Sequence, residues 1–262
     1  MNDDFNKDLA KAVAEETAGK VYDDLAHPGL KAMGTVLSLI PRTIRVFLEK
    51  WEKWVLNGEY TIQETQKILA EKLKHIPEEK IVEPEPYVAV PAMQQLSYSF
   101  DSSELRELYA NLLASSMNVD KKMKVHPAFV DIIKQLSPMD ARGLEKIKSF
   151  YSPIPIINIQ MMFDNRSFTE IVSDYAIDLK DVYEDLNLMR ASLKNLDRLG
   201  LIKVRYDQYV KPDERYDIFK ADEVYTNIIQ MNPNTEERKI KMERGLIELT
   251  EFGKQFSETC CE

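Results

Sequence analysis

Glycine is scarce in this chain and histidine scarcer still. Eight glycines occur in 262 residues, and neither a P-loop nor a dinucleotide-binding fingerprint can be written from them, so the common phosphate-cradling loops are excluded. Cysteine is confined to the adjacent Cys260 and Cys261. That pair offers neither a disulfide framework nor a spaced zinc-ligand set, and it fits a reducing compartment. Long apolar runs are also missing. In the segment 29–56 the longest uncharged run lies between Lys31 and Arg42, well short of the roughly 20 residues needed to cross a bilayer. The opening MNDDFNKDLAKAVAEE lacks the basic start and apolar stretch of a secretory signal. A cytoplasmic protein with no transmembrane span is expected.

The three histidines, His27, His75 and His126, are far apart and form no HExxH or paired-ligand pattern. His27 and His126 each precede a proline at an expected helix start, so bonding to backbone or water is the expected role of such an imidazole. Ser115 and Ser116 stand outside any nucleophile-elbow motif. The acidic pairs Asp23-Asp24 and Glu78-Glu79 read as solvated faces. No catalytic, cofactor-binding or metal-binding set emerges, and the chain is read as non-enzymatic.

What the chain does have is an ordinary apolar content of 44%, enough for a core, and a formal net charge of -9. Such a balance disfavours nonspecific attraction to nucleic acid. Helical periodicity runs through residues 3–27 and 29–56, and a Thr61/Glu64 capping box opens a third helix. The segment 29–56 is basic and carries Arg42, Arg45, Trp51 and Trp54. Its apolar stripe suits a helical bundle, and an exposed stripe would suit a membrane-surface role. Residues 75–91 are rich in proline and acid and are expected to be an extended crossing segment. Residues 92–117 read as helix in two pieces. Pro127, and then the Ser137-Pro138-Met139-Asp140 cap, each launch a helix.

Beyond Tyr151 the texture changes. PIPIINIQMMF reads as a strand, SFTEIVSDYAI as a short helix and turn, and LKDVYEDLNLMRASLKNLDRLG as a long helix stopped at Gly200. LIKVRYDQYV, ERYDIFK and GLIELT read as strands, the last two separated by a polar stretch, with Thr250 capping a final helix. The expected fold class is mainly α with a small β component: a helical domain over 1–136, then a winged helix-turn-helix-like domain over 137–262. The first part of the presumptive recognition helix carries Asp178, Asp181, Glu184 and Asp185 against Lys180, which repels phosphate. Arg190, Lys194 and Arg198 fall toward its other end, where the helix dipole alone accounts for them.

Five strings, in order along the chain, resemble the abortive infection alpha (Abi-alpha) family of bacterial proteins. They are YDDLAHPGLKAMG (Tyr22 to Gly34), ELRELYANLLASSM (Glu104 to Met117), VHPAFVDIIKQLSPMDARGL (Val125 to Leu144), NLDRLGLI (Asn195 to Ile202) and GLIELTEFGKQFSETC (Gly245 to Cys260). The resemblance implies a cytoplasmic, largely helical protein of phage defence and carries no catalytic signature onto these residues. The expected function is therefore an antiphage protein acting through contacts with a host, phage or self partner, which leaves homo-oligomers open. Arg42, Arg45, Trp51, Trp54, Arg190, Lys194 and Arg198 are the candidate interaction surface. The alternatives are a DNA-binding regulator using the wing and a membrane-perturbing effector using residues 29–56.

Overall fold

A computed structural model of the chain describes residues 68–96, 99, 102–164, 166–183 and 185–261. The chain divides into two units, Met1–Phe100 with Ala110–Met123 and Asp101–Tyr109 with Lys124–Glu262. The described part of the first unit contains helical residues 68–73, helix α1 (Pro86–Leu96) and the last part of helix α2 (Ser103–Ser116). Leu69, Leu73, Val88, Ala92, Met93, Leu96, Leu112, Leu113 and Met117 are buried. Val82 N–H donates to the Met117 carbonyl at 2.8 Å and Val119 N–H to the Lys80 carbonyl at 3.0 Å, forming a single bridge between two loops. The extended segment expected over 75–91 therefore ends early, because α1 starts at Pro86 and runs through Pro91. A proline at a helix start sacrifices no hydrogen bond, and Pro91 removes only one donor. Burial of the apolar face of α1 outweighs that loss.

Within the second unit, helix starts follow their sequence signals. Ser137 Oγ accepts from Asp140 N–H at 3.1 Å, and Asp140 Oδ2 accepts from Ser137 N–H at 2.8 Å, closing a capping box ahead of α4 (Pro138–Lys148). Upstream, α3 (Ala128–Lys134) follows His126, whose Nδ1 accepts from Ala128 N–H at 3.1 Å. The same imidazole lies edge-on to Phe252, with ring centroids 5.6 Å apart. His126 is thus a helix-terminus residue. Thr250 Oγ1 accepts from Gly253 N–H at 2.8 Å and so caps the last helix, α8 (Glu251–Cys260).

Between α4 and α8 lies a four-stranded antiparallel sheet, curled like half a barrel, of order β2-β1-β4-β3. Strand β1 (Ile154–Phe163) pairs along its whole length with β4 (Arg238–Leu249), from Ile154 opposite Ile247 to Phe163 opposite Arg238. Strand β2 (Phe168–Tyr175) takes the other edge of β1, and β3 (Ile202–Arg205) takes the other edge of β4. Helix α5 (Leu186–Arg198) touches α4, β2 and β3, and α8 packs on α4 and β4. Buried Ile154, Ile156, Leu193, Leu196, Ile247 and Phe256 belong to this core.

The sheet corrects the winged-helix expectation. SFTEIVSDYAI is not the first helix of a helix-turn-helix, since residues 168–175 form strand β2. Five of the eight residues in β2 are β-branched or aromatic, and pairing with β1 realises that preference. The helix expected from Leu179 begins only at Leu186, after Asp185 accepts from the N–H groups of Asn187 and Leu188 at 2.6 and 2.9 Å. Asp178 and Asp181 therefore precede the helix instead of lining its first turn. ERYDIFK is helical: a 3-10 turn (Asp213–Tyr216) leads into α6 (Asp217–Ala221), and the buried Tyr216 and Phe219 stand one helical turn apart. The polar stretch after it holds α7 (Glu223–Met231) and the first half of β4.

Asp222 caps α7 and ties it to the sheet. Its Oδ1 accepts from Tyr175 Oη at 2.7 Å and from Val224 N–H at 2.9 Å, and its Oδ2 accepts from Lys180 Nζ at 2.9 Å. Burial opposes ionisation of this carboxyl, but the hydrogen bonds from Lys180, Tyr175 and Val224 together hold it below the usual carboxylate range. A depressed folded-state value means that the stabilisation is complete above the unfolded value and is lost as pH falls through the folded one. Asp222→Asn should lower stability at pH 7 by about 2 kcal/mol. In urea titrations at falling pH, the gap between variant and wild type should close below about pH 4. A gap that is constant down to pH 2 would contradict the assignment.

Candidate functional site

Two steps along β1 from Ile157 to Ile159 correspond to three along β2, from Tyr175 to Val172, so β2 carries an extra residue opposite Asn158. A bulge of this kind leaves a backbone donor unpaired and re-aims a side chain. Here Asn158 repairs the ladder: its Oδ1 accepts from Asp174 N–H at 2.9 Å. Asp174 itself adopts φ 51°, the left-handed region that aspartate tolerates better than most residues. The residue is buried, with 3% exposure. Oδ1 accepts from Tyr206 Oη at 3.0 Å, and Oδ2 lies 3.0 Å from Lys194 Nζ on α5.

Tyr206 reaches Asp174 because Gly245 on β4 leaves room. A Cβ on Gly245 would lie 2.6 Å from the Tyr206 ring. Burial, then the charge of Asp174, pushes the Tyr206 hydroxyl above its ordinary range, so the phenol stays a hydrogen-bond donor. Next to this group the amides of Asn158 and Gln160 both donate to Glu243 Oε2, at 2.7 and 2.9 Å. Asn158 and Gln160 are 5% and 4% exposed. Two buried amides in one strand thus serve as positioning groups, one for a bulge and both for a carboxylate.

These groups line a cleft of about 650 Å³, within the size range of ligand pockets. Its walls add Phe168, Glu170 and Ser173 from β2 and Asn187, Arg190 and Ala191 from α5. The lining holds three carboxylates against two cations. No group of three or more histidine, cysteine, aspartate or glutamate side chains suited to a metal ion occurs among the described residues.

Of the residues expected to form an interaction surface, Arg190 and Lys194 stand in the cleft wall. Arg198 is engaged elsewhere: it donates to Asn195 Oδ1 at 2.7 Å and to Gln135 Oε1 at 3.1 Å. Arg42, Arg45, Trp51 and Trp54 lie outside the described residues. Sequence reasoning missed Asn158, Gln160, Asp174, Tyr206 and Glu243. One signal was present, since Asn158 and Gln160 interrupt an isoleucine-rich strand at alternate positions, where one face of a strand carries them together.

The model of the family described as abortive infection alpha matches residues 57–260. The chain belongs to the abortive infection alpha family. Every residue lining the cleft falls within the matched span, so the cleft is part of the abortive infection alpha region itself. No curated protein and no solved structure matches the chain. No helix among the described residues of this abortive infection alpha protein is long and apolar enough to cross a membrane.

Proposed function

We propose that the chain serves abortive infection without catalysis, by binding a host, phage or self protein at the cleft of its second unit. The observation that carries this reading is the composition of the rim. Phe168 is 53% exposed, and Arg190, also exposed, shares the cleft wall with it. Aromatic residues and arginine are the types that dominate the energetics of protein interfaces. The buried polar groups below the rim are fixed by one another, as a preformed recognition surface requires.

Cells carrying Phe168→Asp should lose protection in a phage plating assay by tenfold or more, with the purified variant unfolding at the wild-type temperature. The change is at an exposed position, where substitutions alter stability by about 0.5 kcal/mol or less. Full protection by this variant would remove the rim from the function. Turnover of a nucleotide or nucleic acid by the purified chain, abolished by Asp174→Asn, would replace the binding reading with an enzymatic one.

A further inference from the structure

Several acceptor atoms in the cleft have no donor among the described residues. Gln160 is almost fully buried and spends its Nε2 on Glu243, while its carbonyl Oε1 takes no hydrogen bond among the described residues. Glu243 receives both amides on Oε2, which leaves Oε1 without a donor among the described residues. Glu170 stands opposite Gln160 on β2 and makes no hydrogen bond or ion pair among the described residues. Lys194 does not serve these groups, because it is engaged by Asp174. An unanswered carboxylate, a second one with a free oxygen and a carbonyl in one cleft call for a donor-rich cation. The Phe168 ring in the same lining adds a π face suited to such a group.

Arg190 imposes the complementary demand. It lines the cleft and has no ion pair or hydrogen bond among the described residues, so a ligand that was only cationic would face an unneutralised guanidinium. A ligand carrying one basic group and one carboxylate satisfies both walls. We infer that the cleft receives a polypeptide segment through one arginine or lysine side chain, bound by Glu243, Glu170 and the Gln160 carbonyl, and one carboxylate, bound by Arg190. This rests on the reading of the cleft as the docking site of a protein partner.

The experiment is isothermal titration of the full chain with three probes. N-acetyl-L-arginine carries both groups, N-acetyl-L-arginine amide carries the cation alone, and spermidine is a free polyamine. N-acetyl-L-arginine should bind, with a Kd on the order of 1 mM, and should bind more tightly than its amide. Glu243→Gln should weaken both arginine probes by tenfold or more, while Arg190→Gln should weaken N-acetyl-L-arginine and spare the amide. Glu170→Gln, at an exposed position, should weaken both arginine probes as well and keeps the test alive if the Glu243 variant unfolds. Absence of binding by N-acetyl-L-arginine, or binding indifferent to these carboxylates, would overturn the inference. So would spermidine binding more tightly than N-acetyl-L-arginine. The Phe168→Asp variant separates the two readings: if it loses phage protection while no arginine probe binds, only this inference fails. If the probes bind through Glu243 and Glu170 while the Phe168→Asp variant protects fully, only the docking function fails.

Discussion

Phe129→Ala should cost about 3–5 kcal/mol of folding stability, the usual range for deleting a fully buried aromatic side chain. Phe129 is completely buried. Its ring meets Phe256 edge to face at a centroid distance of 5.2 Å and Phe252 at 5.3 Å, and His126 closes the cluster at 5.8 Å. The cluster joins α3 to α8, with Tyr109 Oη donating to the Val130 carbonyl at 3.3 Å as a polar tie on the same helix. Folded domains are stable by only about 5–15 kcal/mol, so this one change should remove a large share of the total. Phe129→Leu preserves most of the volume and should cost about 1.5 kcal/mol or less. Urea denaturation of both variants supplies the check. A loss below about 1 kcal/mol for alanine would mean that the site collapses around the deletion.

The elements written into the sequence by local chemistry are those whose signals lie within a few residues. Ser137 and Asp140 form their box three residues apart, Thr250 caps Gly253 across the same interval, and His126 satisfies Ala128 two residues on. Strand β1 was legible because seven consecutive buried residues, from Ile154 to Gln160, follow a turn. Strand β2 was not, since Glu170, Ser173 and Asp174 break its apolar pattern and only pairing with β1 decides its state. The cleft was less legible still. Tyr206 meets Asp174 across 32 positions, and Glu243 meets Asn158 across 85. Nothing local in the chain announces a bulge in β2 that turns Asp174 inward. The winged-helix reading failed for a related reason: helix and strand periodicities are hard to separate in short segments, and Leu179, which matches helical spacing, is buried in a 3-10 turn (Ile177–Leu179).

Asp174 is where fold and site meet, and three substitutions should separate its roles. Asp174→Asn keeps a residue that tolerates φ 51° and keeps an acceptor for Tyr206, so it forfeits chiefly the ion pair with Lys194. Lys194 is 66% exposed, which limits that pair to about 1 kcal/mol or less. Asp174→Ala removes the acceptor from a largely buried phenol and also removes the short polar side chain that lets aspartate tolerate left-handed backbone. The first loss is about 1–3 kcal/mol and the second about 1 kcal/mol. Asp174→Gly removes the acceptor but relieves the backbone, and should therefore lie above alanine by about 0.5–1 kcal/mol, after allowing for the extra freedom of glycine in the unfolded chain. The expected order of stability is asparagine, then glycine, then alanine. Phage protection should follow a different order, with glycine and alanine both failing, because Tyr206 loses its anchor and the cleft its shape. Alanine as stable as asparagine would show that neither the left-handed backbone nor the Tyr206 hydrogen bond constrains the bulge, and the preformed cleft would lose its physical basis.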